Sequence, residues 1–156
     1  MRMDDHGTCA MMSEREILEA CACHRVRTAA RAVTRAYDEA LRPSGLRAPQ
    51  LAVLAATAAY DALSITALAE VMGMDRTTLV RNLRPLESEG LIAIGPEGRW
   101  RSRALEITKK GRSRLLEALP LWETAQQTLH GRLGDSGWDR VRSSLNDLIR
   151  VTQAWR

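Results

Sequence analysis

The strongest concentration of charge in the sequence is a basic segment, residues 95–115. It holds seven basic residues against Glu97 and Glu106, a net charge of +5, whereas the other 135 residues together carry −1. The seven are Arg99, Arg101, Arg103, Lys109, Lys110, Arg112 and Arg114. Cations gathered in one short segment are typical of a surface that contacts a polyanion, and arginine suits phosphate because its planar fork forms paired hydrogen bonds. A solvated surface turn would have the same composition.

Three cysteines lie near the start of the chain, at Cys9, Cys21 and Cys23. Cys21 and Cys23 form a C-x-C pair, but on a continuous helix they would lie about 200° apart and could not share one ion. Cys21 and His24 would share a face, and the neighbouring Arg25 could lower the pKa of a thiol. Inert packing at a subunit interface, redox sensing by the three cysteines and binding of a thiophilic metal all remain open.

The sequence lacks the usual signatures of enzymes. It contains no G-x-G-x-x-G, no P-loop and no H-E-x-x-H, and His6, His24 and His130 are scattered. We therefore expect no catalytic residues, no cofactor and no metal site. A content of 45% hydrophobic and 27% charged residues excludes disordered and collagen-like chains. No transmembrane stretch and no export signal are visible, so we expect a cytoplasmic protein.

Helical periodicity dominates the elements that must position the basic residues. The predicted helices cover 13–41, 49–60, 64–72, 75–89, 108–130 and 136–155. Ser13, Ser64, Asp75 and Thr108 are the predicted N-caps, because their side chains can accept backbone N–H groups. Two short strands, 91–94 and 103–107, flank a Gly-Pro-Glu-Gly turn and predict a hairpin with a basic tip.

The third and fourth helices are joined by Gly73-Met74, a turn short enough for a helix-turn-helix. The first turn of the fourth helix is polar: Arg76 could reach a guanine, and Thr77 or Thr78 a thymine methyl or a phosphate. Farther along, Arg81 and Arg84 could meet phosphates, and the hairpin after them has the form of a wing that enters a minor groove. Plain packing would explain each part separately. The order of cap, polar turn, apolar rear face and basic wing favours DNA binding.

From about Ser13 to Arg156 the sequence resembles the MarR family of winged-helix transcriptional regulators. The resemblance rests on residues 68–92 (LAEVMGMDRTTLVRNLRPLESEGLI), 105–111 (LEITKKG) and 41–46 (LRPSGL). It implies a mainly α fold with a small β-wing, in which a winged helix-turn-helix domain is joined to a helical dimerisation region. It further implies a homodimer on a palindromic operator, with repression relieved by a small aromatic ligand or by cysteine oxidation. Matched by position, the DNA contacts would be Arg76, Thr77, Thr78 and Arg81, with Arg101 as the wing arginine.

The sequence departs from the family pattern at two places. The family often has Asp-Arg-Arg at the wing tip, where this chain has Arg99, Trp100 and Arg101. The carboxylate that would brace the wing arginine is absent, so Arg99 and Arg103 are alternative contacts. In addition, Ala48 replaces a helix-capping threonine, which predicts a cap weaker by about 1 kcal/mol.

The expected organisation is a flexible N-terminus (1–12), a dimerisation region (13–48 and 109–156) and a DNA-binding lobe (49–108). The expected partners are double-stranded DNA, a second copy of the chain and a small-molecule inducer, with no membrane. A pocket for a small acid is expected between the first helix and the lobe. Its candidates, by type and region, are His24, Arg25, Arg31, Tyr37 and Tyr60, although packing or surface ion pairs would also explain them. A winged-helix adaptor that binds protein and a nonspecific architectural DNA-binding protein remain alternative functions.

Overall fold

The computed structural model describes residues 12–60, 64–95 and 105–155, and the chain divides into two units, Met1–Ala36 and Tyr37–Arg156. Within the described ranges the helices are α1 (Glu14–Ala20), α2 (Ala22–Leu41), α3 (Ala48–Ala59), α4 (Ile65–Val71), α5 (Arg76–Ser88) and α6 (Lys109–Gln153), and the strands are β1 (Ile92–Ile94) and β2 (Leu105–Ile107). A short 3₁₀ helix, Arg42–Ser44, follows α2. The predicted fold class, mainly α with a small β-wing, is confirmed. None of the helices in these ranges has both the length and the apolarity of a transmembrane segment.

The first predicted helix is interrupted at Cys21. Ser13 caps α1 as expected, and the Glu16 carboxylate accepts the Ser13 N–H at 2.8 Å. Cys21 is extended (φ −70°, ψ 109°), and its Sγ accepts the His24 N–H at 3.4 Å, in the first turn of α2. The prediction of one continuous helix is wrong here, because the thiol acts as an N-cap for a second helix.

The N-terminus of α3 is capped by a residue distant in sequence. Asp38 Oδ1 on α2 accepts the Ala48 N–H at 2.7 Å, and Gln50 Oε1 accepts the Arg47 N–H at 2.8 Å. The N-cap of α3 is therefore Arg47 and not Ala48, and a carboxylate from the preceding helix satisfies the N–H of the first helical residue.

Leucine side chains dominate the core of the second unit. The largest fully buried side chains are Leu41, Val53, Leu54, Leu68, Leu79, Leu83, Leu86, Leu91, Ile92 and Leu105. Each contributes about 1.5–3 kcal/mol relative to an exposed side chain. Leu79, Leu83 and Leu86 all belong to α5, so this core holds α5 by one face and leaves the opposite face free.

The hairpin is joined to the start of α6 by a close backbone contact. β1 and β2 pair antiparallel, with Ile92 opposite Ile107. The Thr108 hydroxyl accepts the Gly111 N–H at 3.0 Å and donates to the Gly90 carbonyl at 2.7 Å. A Cβ on Gly111 would lie 2.0 Å from the Leu91 carbonyl oxygen, so only glycine permits this approach.

α6 bends at Gly134, which has φ 67° and ψ 166°. The break predicted between residues 131 and 137 is confirmed, although it is confined to one residue. Beside the bend, His130 Nε2 lies 3.5 Å from Asp135 Oδ1, and the His130 ring meets the Trp138 ring edge-on. The bend separates the part of α6 that packs on α3 from a C-terminal part with exposed apolar side chains.

Candidate nucleic-acid interface

α4 and α5 form the predicted helix-turn-helix. Ser64 caps α4 by accepting the Ala67 N–H at 3.1 Å. Gly73 turns the chain with a φ of 62°, a left-handed conformation that costs glycine little. The Met74 N–H then donates to the Ala69 carbonyl at 2.9 Å, which closes the turn before α5.

Asp75 organises the first turn of α5. Its carboxylate accepts the Thr78 N–H at 2.8 Å and the Thr78 hydroxyl at 2.6 Å. The Thr78 hydroxyl, followed by the Thr78 N–H, lowers the pKa of Asp75 below its ordinary value. Thr78 is therefore held by the cap, and its hydroxyl oxygen remains able only to accept a further hydrogen bond.

The outer face of α5 carries the predicted DNA-contacting residues. Arg76, Thr77, Thr78, Arg81 and Arg84 are all exposed. With about 100° per residue, Thr77, Arg81 and Arg84 lie within about 60° of one another, opposite the buried leucines. One arginine-rich stripe thus faces away from the core, with Arg76 and Thr78 at its N-terminal end. A stripe of this kind can pair with phosphates and with base edges.

The tip of the wing lies outside the described residues. This applies to Arg99, Arg101 and Arg103, the predicted wing contacts, and to Trp100. The described base of the wing is the paired β1 and β2, directly after α5 in the chain.

Part of the basic segment contacts protein, which the sequence did not indicate. Lys110 Nζ donates to the Glu89 carbonyl, the C-cap of α5, at 2.7 Å. Arg114 Nη1 donates to the Ser44 carbonyl at 3.2 Å and lies 3.8 Å from the Glu89 carboxylate. Within the basic segment these two residues therefore have protein partners. Lys109 and Arg112 remain exposed.

A cavity of about 270 Å³ lies in the second unit between the end of α2, α3 and α6. It is lined by Tyr37, Ala48, Leu51, Ala52, Ala55, Leu115, Leu119 and Trp122. The Tyr37 hydroxyl donates to Gln126 Oε1, and burial raises the Tyr37 pKa above its ordinary value. The cavity is therefore apolar, with one phenol at its wall.

Of the five candidates for a ligand pocket, Tyr37 lines this cavity. Tyr60 is the exposed C-cap residue of α3. His24, Arg25 and Arg31 are exposed on α2 in the first unit. There Arg25 Nε donates to the Glu19 carbonyl at 3.2 Å, and Arg31 donates to the Thr28 hydroxyl at 3.3 Å.

Of the cysteines, Cys21 is partly exposed, Cys23 is exposed, and both are free thiols. Cys9 lies outside the described residues. Because the helix breaks at Cys21, the 200° separation expected between Cys21 and Cys23 does not hold. Among the described residues, no group of three or more His, Cys, Asp or Glu side chains is arranged to hold a metal ion.

Comparison with known proteins agrees with this geometry. Residues 44–99 match the family model described as MarR family. The structure of the M. tuberculosis transcriptional regulator MosR in complex with DNA is similar over 87% of this chain and 98% of that one, with 39% identity and a TM-score of 0.79. A search of curated protein sequences returns no significant match.

The transcriptional repressor CouR is a second similar protein. Its structure bound to a 23-mer DNA duplex has 25% identity and a TM-score of 0.74, covering 89% of this chain and 99% of that one. Its structure bound to p-coumaroyl-CoA has 27% identity and a TM-score of 0.74, covering 86% of this chain and 95% of that one.

Since the family consists of transcriptional regulators, the prediction that the chain is not an enzyme is confirmed. The chain belongs to the MarR family of winged-helix, DNA-binding transcriptional regulators.

Proposed function

We propose that this regulator is a repressor that binds a palindromic operator as a homodimer and reads its sequence through α5. The observation that carries the proposal is the exposed stripe of Thr77, Arg81 and Arg84, with Arg76 at the N-terminal turn, on a helix held from behind by buried leucines. A helix fixed in this way presents its first turn to base edges in a major groove.

Each polar residue of α5 has a distinct proposed role. Arg76 pairs with a guanine, because it lies in the first turn and is exposed. Thr77 contacts a thymine methyl or a phosphate, and Arg81 and Arg84 contact phosphates. Thr78, whose hydroxyl proton is held by Asp75, contacts a thymine methyl. Arg99, Arg101 and Arg103 of the wing contact the adjacent minor groove, a role that rests on the sequence alone.

The dimer proposal rests on exposed apolar side chains in each unit. On the C-terminal part of α6, Val141, Leu145, Leu148 and Ile149 are 38–56% exposed and recur at helical spacing. In the first unit, Ile17, Leu18, Val26 and Val33 are 40–54% exposed. A second copy would remove these stripes from water, so we assign residues 13–48 and 109–156 to dimerisation and 49–108 to DNA binding.

The direct test is a fluorescence-anisotropy titration of the reduced protein on DNA upstream of its own coding sequence, against a scrambled duplex. We expect a preference for the upstream DNA and an affinity that falls steeply with salt, because Arg–phosphate contacts release counterions. Equal binding to both duplexes would instead favour an architectural DNA-binding protein. Absence of binding to either would favour the protein-binding adaptor.

The proposed inducer site is the cavity lined by Tyr37 and Trp122. Its volume of about 270 Å³ exceeds the roughly 150 Å³ of a cavity that binds benzene, so one substituted aromatic ring fits. The apolar walls would hold the ring by van der Waals contact. CouR, with p-coumaroyl-CoA, makes an aromatic acid or its thioester a reasonable ligand class.

p-Coumarate is a suitable first probe for this site. We expect it to quench tryptophan fluorescence and to weaken DNA binding in the parent protein. Ala55→Phe fills the cavity and should abolish both effects, whereas Ala59→Phe, on the same helix but outside the lining, should preserve them. If Ala55→Phe responded like the parent, the cavity would not be the ligand site.

Cysteine oxidation is the second proposed route of release. Cys21 stands partly exposed at the N-terminus of α2, and peroxide would convert its thiol to a sulfenic acid while itself being reduced to water. Attack of the Cys23 or Cys9 thiol on the sulfenic sulfur would then form a disulfide and release the sulfenic oxygen as water. Peroxide should abolish DNA binding in the parent protein but not in Cys21→Ser. Loss of DNA binding in both the parent protein and Cys21→Ser would show that another group is oxidised.

A further inference from the structure

The C-terminal end of α5 is held by two cations from the first turns of α6. Lys110 Nζ donates to the Glu89 carbonyl at 2.7 Å, and Arg114 Nη1 lies 3.8 Å from the Glu89 carboxylate. Both positive charges also face the negative end of the α5 dipole, where they are favourable. The end of the DNA-reading helix is thus tied to α6 at two points.

Arg114 also reaches a third element. Its Nη1 donates to the Ser44 carbonyl at 3.2 Å, in the 3₁₀ helix that follows α2, and its Nε lies 3.8 Å from Glu117 on α6 itself. The Arg114 side chain is 27% exposed, so this guanidinium is largely covered by the elements it bridges. Gly45, with φ 73°, leaves space here, since a Cβ would lie 3.3 Å from Arg114 Nη1.

We propose that Arg114 is a positioning residue for DNA recognition: through Glu89 and the Ser44 carbonyl it fixes the orientation of α5 relative to α6 and the end of α2. It does so without contacting DNA. The inference rests on the proposed function, because it assigns to Arg114 the placement of the helix that reads the operator. It also separates Arg114 from the DNA-facing arginines, although all of them are basic residues of one lobe.

Glutamate-to-glutamine changes give a sharp test because electrostatics and positioning predict opposite results. Glu89→Gln removes a negative charge from the DNA-binding lobe, so simple electrostatics predicts tighter binding to DNA. Positioning predicts binding weaker by about three- to fivefold, the effect of losing one partly exposed ion pair. Glu117→Gln is the matched control, since it removes the same charge from the partner of Arg114 that does not touch α5. It should leave affinity unchanged or slightly increased.

Arg114→Met provides the second arm. We expect a loss of DNA affinity at least as large as that of Glu89→Gln, because the contact with the Ser44 carbonyl is also removed. Adding Glu89→Gln to Arg114→Met should cause no further loss, and the slope of log affinity against log salt should be unchanged. A slope reduced by about 1 would show that Arg114 contacts a phosphate, which would overturn the proposal. Glu89→Gln binding as tightly as Glu117→Gln would also overturn it.

Hydrogen exchange in the absence of DNA keeps this test separate from the proposed function. Amides of residues 83–91 should exchange faster in Glu89→Gln and Arg114→Met than in Glu117→Gln, at a temperature where all three variants are folded. Equal exchange in the three variants would refute the positioning role of Arg114 even if the parent protein binds no DNA. Faster exchange together with no DNA binding by the parent would instead refute the proposed function and leave the positioning of α5 by Arg114 supported.

Discussion

Replacing Gly111 with alanine is expected to destabilise the junction between the hairpin and α6, although alanine is the better helix former. The added Cβ would lie 2.0 Å from the Leu91 carbonyl oxygen and 2.9 Å from Ile107 Cγ1. The Leu91 oxygen is backbone and cannot turn aside, and Ile107 Cγ1 is a side-chain atom next to the backbone of a paired strand. The first turn of α6 must therefore move away from Leu91.

The magnitude follows from the contacts that this movement breaks. The Leu91 carbonyl accepts the Thr108 N–H at 3.1 Å and, at 3.2 Å, shares the Thr108 hydroxyl proton with the Gly90 carbonyl. Losing both costs about 2 kcal/mol, and forcing a methyl into a packed site costs about 1–3 kcal/mol. The gain in helix propensity returns about 1 kcal/mol. The net loss is about 2–4 kcal/mol, which lowers the unfolding temperature of a chain of this size by about 4–16 °C.

Thermal unfolding at fixed protein concentration measures the effect, and Gly131→Ala is the matched control in the same helix. A Cβ on Gly131 would meet no atom within 4 Å, so this variant should be as stable as the parent or more stable by about 1 kcal/mol. If Gly111→Ala proved as stable as Gly131→Ala, the reasoning from the Leu91 contact would be refuted.

Three further predictions concern DNA reading, the α5 cap and assembly. Arg76→Ala should cost about 1–3 kcal/mol of DNA-binding free energy and relax the preference at one base pair of the operator, whereas Arg81→Ala should weaken binding to all sequences alike. If the ranking of operator variants by affinity is unchanged in Arg76→Ala, Arg76 does not read a base. Asp75 has a lowered pKa, so the stability from its charge is complete above pH 3.8 and disappears as the pH falls through the folded value. Asp75→Asn should therefore flatten the acid limb of stability measured by urea unfolding, and identical limbs would contradict this. Leu145→Glu should convert the dimer to monomer in sedimentation while Asn146→Glu does not, and a dimeric Leu145→Glu would move the interface elsewhere.

Local signals in the sequence predicted most of the described helix starts. Ser13, Ser64, Asp75 and Thr108 all act as N-caps at the predicted residues, because a cap depends on a hydroxyl or carboxylate three residues from its N–H partner. The buried face of α5 followed for the same reason, since the period of 3.6 residues places Leu79, Leu83 and Leu86 together.

Contacts between distant residues could not be predicted in this way. The cap on α3 comes from Asp38, ten residues before Ala48, and the partner of Arg114 is Ser44, 70 residues away. The cavity likewise forms between α3 and α6, where Ala55 meets a wall contributed by Leu115 and Leu119, about 60 residues farther along the chain. The break at Cys21 has no clear local signal, because sulfur is a weak hydrogen-bond acceptor and a rare helix cap.

The order of residues along the first part of α6 has a consequence for induction. Lys110 and Arg114 hold the end of α5, and Leu115, Leu119 and Trp122 line the cavity, all within about 18 Å of one helix. A ligand in contact with Leu119 would therefore push on the same stretch of α6 that holds the end of α5. The bend at Gly134 lies farther along α6, outside the stretch that links the cavity to Glu89. If induction works in this way, Arg114→Met should reduce the effect of a ligand on DNA binding as well as the affinity itself, whereas a ligand that acts only by separating subunits would keep its full effect in that variant.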